Sequence, residues 1–408
     1  MRKPELDAIL SGMLESNDGI SDLIFAVDRP PQVEAQGVLK PVRTQYNIQW
    51  LTAWQIEQIV LNLIGDDRRL MGDLLRSGSC DCGYGLSDRM RFRVNIFRQR
   101  GNWAIVMRRL QTEMPTLANL NLPSIFEEIV NQKNGLVLVT GATGSGKTTT
   151  LAAVLNELNM TRAVHIVTLE DPIEFVHKHK KSTFNQRELG TDFESYPSGL
   201  RAALRQAPKV ILVGEMRDRD TVEIAITAAE TGHLVLSTIH TIDAGQSISR
   251  ILGMFPRDAE KQLRLRLAET LRYVVSQRLA PRVGGGRTLI MEIMGSNLRT
   301  QEAISLGEAE NRDFYEIISD SASFGWLTFD QAITRAYEAD LITEETALLY
   351  ATRKGIVQRN IDQIKKLRGQ GAEMSSGLRL DLPENSGQGS GGSSQPPPLP
   401  SKRGLFKF

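Results

Sequence analysis

Cysteine is nearly absent from this chain, and the two that occur lie close together. Cys80 and Cys82 are the only cysteines among 408 residues. Two cysteines are too few for a disulfide framework, and two thiol ligands are too few for a zinc site, so we interpret them as ordinary reduced thiols. This usage favours a cytoplasmic protein.

Long hydrophobic runs and an excess of one charge are also missing. No apolar run approaches the roughly 20 residues of a membrane-spanning helix, and the N-terminal MRKPELDAIL lacks the apolar core of a signal peptide. Lysine and arginine total 49 against 48 aspartate and glutamate residues. This balance provides no broad basic surface, so we predict no nucleic-acid partner.

The chain is long enough for two or three domains. Residues 1–110 combine helical and alternating patterns and predict a small α+β domain, and the proline-containing segment 111–123 predicts a linker. In 124–296, apolar runs at 136–139, 164–169, 209–213 and 234–238 alternate with helix-length segments, which predicts a parallel α/β sheet. Helical patterns fill 297–368, and the Gly, Ser and Pro-rich tail, 369–408, is predicted to be disordered.

One further pattern lies within 258–279. Four apolar residues there share a stripe at helical spacing, which we interpret as core packing with a solvated opposite face; they are Leu263, Leu267, Leu271 and Val274. A subunit contact is the alternative.

The stretch GLVLVTGATGSGKTTT, residues 135–150, contains the phosphate-loop pattern G-x-x-x-x-G-K-[ST] between a predicted strand and a predicted helix. Glycines let backbone N–H groups turn toward a phosphate chain, and the helix N-terminus adds its dipole. A glycine-rich loop that merely turns the chain is the alternative. We predict that ATP is bound by Gly141, Ala142, Thr143, Gly144, Ser145, Gly146, Lys147, Thr148 and Thr149, with Lys147 at the β- and γ-phosphates.

Carboxylates follow two other predicted strands. Glu215 ends the apolar run that starts at Lys209, and Glu170 and Glu174 follow the run that starts at Val164. At the end of a strand, a carboxylate can address Mg²⁺ or the attacking water, although a helix cap or a solvated charge is the alternative for each. In the phosphate loop, the hydroxyl of Thr148 is predicted to hold Mg²⁺.

Two histidines flank the predicted strand at 234–238. His240 follows the strand, on the side where ligands bind in parallel sheets, and is the better candidate for sensing the γ-phosphate. His233 precedes the strand, and a structural role is the alternative for it.

Four motifs in this order, GATGSGKT, LEDPIEF, ILVGEMRD and AETGHLVLSTIHT, resemble the secretion ATPase superfamily. The resemblance is closest to the type IV pilus retraction ATPases of the PilT/PilU type and runs from about residue 22 to about residue 354. It implies a PAS-like N-terminal domain, a RecA-like P-loop ATPase domain and a C-terminal helical bundle.

The resemblance also implies roles for residues. Glu215 would polarise the attacking water, while Glu170 and Glu174 would assist the magnesium and its water shell. His233 and His240 would sense the nucleotide state. Arginines of the N-terminal domain would close over the nucleotide, and the candidates are Arg93, Arg98 and Arg108.

The implied assembly is a homo-hexamer that binds ATP between its two domains and drives pilus retraction and twitching motility. It would act on an inner-membrane platform protein, peripheral to the inner membrane. Two departures keep alternatives open: Gln206 to Lys209 reads like the PilU paralogue, and the motif AIRNLIRE, associated with retraction, is missing. The alternatives are an accessory PilU-like ATPase that depends on a partner motor, and a type II secretion or pilus-assembly ATPase. That second branch typically carries a four-cysteine zinc module, and no cysteine follows Cys82. A nucleic-acid translocase on the same core is a further rival.

Overall fold

The computed structural model describes residues 2–43, 48–87, 90–110, 113–309 and 313–369. The predictions for residues 111–112 of the linker and for the tail from residue 370 lie outside these ranges. The chain divides into two compact units, Met1–Ile364 and Lys365–Phe408. The first contains both sheets and the nucleotide site, and only residues 365–369 of the second are described.

The strands are β1 (Ile20–Phe25), β2 (Gln32–Ala35), β3 (Val38–Pro41), β4 (Ser79–Ser87), β5 (Met90–Gln99), β6 (Asn102–Arg109), β7 (Gly135–Thr140), β8 (His165–Glu170), β9 (Thr183–Glu188), β10 (Val210–Val213), β11 (Leu234–Ile239), β12 (Leu271–Pro281) and β13 (Arg287–Gly295). The helices are α1 (Lys3–Glu15), α2 (Ala53–Ile64), α3 (Arg68–Ser77), α4 (Ile125–Asn131), α5 (Lys147–Thr161), α6 (Tyr196–Ala203), α7 (Arg219–Glu230), α8 (Ala244–Leu252), α9 (Arg257–Thr270), α10 (Leu298–Leu306), α11 (Phe314–Asp320), α12 (Phe329–Glu338), α13 (Glu344–Tyr350) and α14 (Lys354–Leu367).

The N-terminal part is α+β, as predicted. Its described residues form an antiparallel sheet of six strands in the order β3-β2-β1-β6-β5-β4, and β5 and β6 form a hairpin. The sequence prediction missed β3, α3 and β4. The four residues of β3 are all exposed, so no alternation of apolar and polar residues marks that strand.

The part of the chain from residue 124 onward is built on a second sheet, of seven strands in the described residues, in the order β13-β12-β7-β11-β10-β8-β9. All neighbouring pairs are parallel except β12 and β13. The four predicted apolar runs are confirmed as β7, β8, β10 and β11. Because these four strands are adjacent and parallel, their carboxyl ends meet at one edge of the sheet, where ligands bind in such folds.

Both faces of this sheet are covered, which explains why the interior strand β7 contains a continuous apolar run. Val137 and Val139 of β7 pack against α4 and α5. Leu136 and Leu138 pack on the opposite side, in a cluster with α7, α8 and α9.

The interpretation of 258–279 as one helical stripe is wrong. The helix α9 ends at Thr270, and Leu271 and Val274 lie in β12, which pairs with β7. All four stripe residues are buried, so the pattern identified burial correctly but not the element. Short buried strands and buried helices both appear as apolar positions, and β-branched residues such as Val274 and Val275 favour the strand.

The C-terminal part is helical as predicted, with α10 to α14 in the described residues. None of the helices in the described part of the chain is long and apolar enough to cross a membrane.

Gly135, at the start of β7, has no space for a side chain. Its φ is +110°, and an added Cβ would lie 2.7 Å from the backbone oxygen of Thr270. We expect Gly135→Ala to lower the free energy of unfolding by about 2 kcal/mol or more, measured by denaturant titration. Gly12 of α1 is the control, because a Cβ there meets nothing within 4 Å, and Gly12→Ala should raise stability by up to about 1 kcal/mol. Equal effects of the two substitutions would contradict this account.

Candidate nucleotide-hydrolysis site

The phosphate loop connects the buried strand β7 to the helix α5. Its glycines at 141, 144 and 146 all have positive φ, which side-chain-bearing residues rarely adopt. Gly141 is also enclosed, because a Cβ there would lie 2.5 Å from the backbone oxygen of Gln277 and from Ser145 Oγ. The loop thus has the backbone shape that lets N–H groups at the start of α5 face an anion.

Lys147 lies within this loop and is 8% exposed. Its Nζ donates hydrogen bonds to the backbone oxygens of Gly141 at 2.8 Å and Ala142 at 2.9 Å. Burial lowers the pKa of Lys147, and the nearby carboxylates of Glu215 and Glu174 partly oppose that shift. A bound phosphate would add negative charge next to this amine and favour its protonated form.

Glu170 is the last residue of β8 and is largely buried. Its Oε1 accepts hydrogen bonds from Thr168 Oγ1 at 2.6 Å and from Gln186 Nε2 at 2.9 Å. Burial raises the pKa of Glu170 to about 7, against the lowering effect of these two bonds. A divalent cation beside the carboxylate would reverse that shift by favouring the charged form.

Glu215 follows β10, and both of its carboxylate oxygens are engaged. Arg217 contacts Oε1 at 2.5 Å, and His240 Nε2 lies 3.3 Å from Oε2. The strand end is fixed by its neighbours, since Thr238 of β11 donates a 2.6 Å hydrogen bond to the backbone oxygen of Gly214. The side chain of Glu215 is 11% exposed, which leaves it accessible from the cavity described next.

A cavity of about 490 Å³ joins these groups. The predicted site residues on its wall are Arg93, Thr143, Gly144, Gly146, Lys147, Thr148, Thr149, Glu170, Glu174, Glu215 and His240. Gly141, Ala142 and Ser145 belong to the same loop but do not line the cavity. A larger cavity of about 590 Å³ lies between α4 and the segment Ala322–Trp326; it contains none of the predicted site residues, so we assign the nucleotide to the first.

Three predicted site residues lie elsewhere in this chain. His233 is at the opposite end of β11 from His240, with Nδ1 3.0 Å from the backbone oxygen of Ala228. Arg98 stacks over the ring of Trp103 at 5.5 Å. Arg108 Nε donates a 2.9 Å hydrogen bond to the carboxylate of Asp22. Their predicted roles in sensing or closing over the nucleotide stay predictions.

The structure also brings residues to the cavity that sequence reasoning did not assign. Arg217, Asp171, Tyr196 and Arg287 line its wall. Arg217 lies only two positions after Glu215 in the motif GEMRD, which was a usable signal. Arg287 starts β13 and no motif marks it, so only the fold could place it there.

The oxygen donors fit magnesium. Thr148, Glu170 and Glu174 supply one hydroxyl and two carboxylates to the same cavity wall, and Mg²⁺ prefers oxygen ligands of this kind.

A mostly parallel sheet whose interior strand β7 leads into a phosphate loop, with carboxylates after two adjacent strands, defines the protein as a P-loop ATPase. Comparison with known proteins gives the family. The family model described as "Type II/IV secretion system protein" matches residues 84–288. The chain is 38% identical to the type IV pilus retraction ATPase PilT of Pseudomonas aeruginosa over 332 residues, which are 81% of this chain and 94% of that protein. It is 36% identical to the type IV pilus ATPase PilU of the same organism, over 85% of this chain and 88% of PilU.

Among solved structures, the chain is similar to the crystal structure of the pilus retraction motor PilT with bound ADP. The identity is 38%, the TM-score is 0.78, and the match covers 87% of this chain and 99% of that one. The chain therefore belongs to the type II/IV secretion ATPase family and is of the PilT type, which confirms the resemblance drawn from the four motifs.

Proposed function

We propose that the protein is a hexameric motor that hydrolyses ATP to drive the retraction of type IV pili, and hence twitching motility. The observation that carries the proposal is one cavity lined by the start of α5, with Lys147, and by the carboxylates of Glu170, Glu174 and Glu215, in a chain similar to PilT over 94% of PilT's length. We divide it into a PAS-like domain at 1–110, a linker at 111–123, a RecA-like domain at 124–296, a helical region at 297–368 and a tail at 369–408.

The positions of the charged side chains in this cavity suggest how each would contribute to ATP hydrolysis. Lys147 and the N–H groups at the start of α5 bind the phosphates, while Glu215 accepts a proton from the attacking water. The carboxylate of Glu215 contacts Arg217 and His240, and its remaining lone pairs can accept a hydrogen bond from the attacking water. His240 is then placed to report whether Glu215 is engaged with water or with the protein. Mg²⁺ held by Thr148, Glu170 and Glu174 would neutralise charge on the phosphate oxygens.

Motion of the N-terminal domain against the ATPase domain would transmit the work of hydrolysis. Among the described residues, polar contacts between these domains include Arg91 with Glu188 at 3.1 Å and Arg69 Nε, which donates to the backbone oxygen of Gly190 at 2.7 Å. Polar contacts of this kind suit domains that change their relative angle. In the ring, this angle change would act on an inner-membrane platform protein, with the motor in the cytoplasm and peripheral to that membrane.

Among the described residues, Arg93 is an N-terminal arginine that lines the nucleotide cavity of its own chain. Because phosphoryl transfer needs positive charge on the transferring oxygens, we expect Arg93→Ala to lower kcat at least about tenfold. The rate of phosphate release at saturating Mg-ATP gives the kcat of each variant. Arg100→Ala is the matched control, since Arg100 is an exposed hairpin residue of the same domain outside the cavity wall. Equal kcat values for the two variants would remove Arg93 from the mechanism.

An accessory, PilU-like ATPase that works only with a partner motor is the second candidate. The observation in its favour is the near-equal identity to PilU and PilT, 36% against 38%, together with the PilU-like segment Gln206 to Lys209. A type II secretion or pilus-assembly role is disfavoured because no cysteine follows Cys82 to form a zinc module.

The test is a count of surface pili, with twitching scored, in a strain that lacks this gene. Retraction predicts excess pili without twitching. Loss of pili would indicate assembly instead, and unchanged pili would favour the accessory or secretion functions.

A further inference from the structure

Glu292 is a buried carboxylate outside the nucleotide cavity. It lies on β13 and is 4% exposed. Its Oε1 accepts a 2.9 Å hydrogen bond from the backbone N–H of Ala244, the first residue of α8. The first N–H groups of a helix have no partner within the helix, so Glu292 supplies one from a different element.

The start of α8 is also the end of the connection that carries His240. β11 ends at Ile239, and only residues 240–243 separate it from α8. The connection is tied to the helix by Thr241 Oγ1, 2.6 Å from Ser247 Oγ, and by Asp243, whose side chain accepts from the N–H of Gln246 at 2.7 Å. These bonds join the connection to α8, whereas the bond from Glu292 joins α8 to the sheet.

We propose that Glu292 is a positioning residue for ATP hydrolysis. By holding the first turn of α8 against β13, it fixes the segment 240–243 and so keeps His240 Nε2 beside Glu215. Without this acceptor, the N–H of Ala244 would be buried and unpaired, and the helix start would shift to satisfy it. The inference rests on the proposed function of Glu215 and His240 in hydrolysis.

The surroundings of Glu292 make this contact sensitive to pH. Burial raises the pKa of Glu292 to about 7. The hydrogen bond from Ala244 and the guanidinium of Arg278 on β12 lower it, while Asp243 in the connection and Asp330 on α12 raise it. A charged carboxylate accepts a stronger hydrogen bond from an N–H than a neutral one, so the contact weakens as the pH falls below about 7.

A double-mutant cycle tests the proposal, with kcat and KM for ATP measured on the full chain. Glu292→Met removes the acceptor with little loss of volume, and we expect kcat to fall about tenfold while KM changes less than about twofold. Glu292→Gln is the matched control, because its amide oxygen can still accept from Ala244, and it should retain at least about half of the wild-type kcat. In a His240→Ala background, Glu292→Met should add less than about a twofold further loss.

The outcomes separate this inference from the proposed function. If His240→Ala lowers kcat but Glu292→Met does not, or if the two losses multiply, the inference is wrong and the role of His240 stands. If His240→Ala leaves kcat unchanged, its proposed role fails and the inference with it. If the methionine variant does not unfold cooperatively, the pH profile of Glu292→Gln decides: wild-type kcat should decline as the pH falls through about 7, and this decline should be reduced in the glutamine variant. An identical decline in both proteins would overturn the proposal.

Discussion

Replacing Glu215 with glutamine is expected to lower kcat for ATP hydrolysis at least about a hundredfold, while ATP still binds. The amide keeps the size of the side chain and can still contact Arg217 and His240, but it cannot accept a proton from water. Because the phosphates are bound by other residues, Lys147 and the loop backbone, affinity for ATP should change little. Phosphate release measures the first effect, and retention of radiolabelled ATP on the purified protein measures the second.

The matched control is Glu223→Gln, the same chemical change on α7. Glu223 is half exposed and its nearest cation, Arg219, is 3.9 Å away, so its replacement should leave turnover within about twofold of the wild type. Normal phosphate release by Glu215→Gln would show that another group activates the water.

Replacing Lys147 with alanine is expected to weaken ATP binding about a hundredfold. The reason is the loss of charge-assisted hydrogen bonds to the phosphates, worth roughly 1.5–3 kcal/mol each. The amine donates to the backbone oxygens of Gly141 and Ala142 at 2.8 and 2.9 Å, which places it at the loop where the phosphates would bind. Titration of the protein with a fluorescent ATP analogue gives the two dissociation constants directly.

Lys209→Ala provides the control for this change. Lys209 is exposed and lies in the same domain, just before β10, outside the cavity wall. Its removal should leave the dissociation constant within about twofold of wild type. If the Lys147 variant binds as tightly as the Lys209 variant, the backbone of the loop alone accounts for binding.

The parts of the site that depend on a few consecutive residues could be predicted from the sequence. The phosphate loop is determined by three glycines and a lysine between a strand and a helix, and Glu170, Glu215 and His240 each follow an apolar run. Parallel strands place such positions at one edge, so their convergence needed only the order of elements.

Other parts depend on contacts between segments far apart in the chain. The start of β12 at Leu271 was missed because its burial pattern continues that of α9. Glu292 was missed because no motif in the neighbouring sequence indicates a functional residue. Its hydrogen-bond partner, Ala244, precedes it by 48 positions. Only pairing in three dimensions distinguishes these cases.

The most direct test of a retraction motor powered at this site is complementation of the deletion strain with Glu215→Gln in place of the wild-type gene. Surface pili are counted and twitching is scored, with the protein level confirmed by immunoblotting. The account predicts that the variant leaves cells with excess pili and no twitching. The wild-type gene and Glu223→Gln should instead restore the normal number of pili and twitching. Restored twitching with Glu215→Gln would show that hydrolysis at this site does not drive retraction.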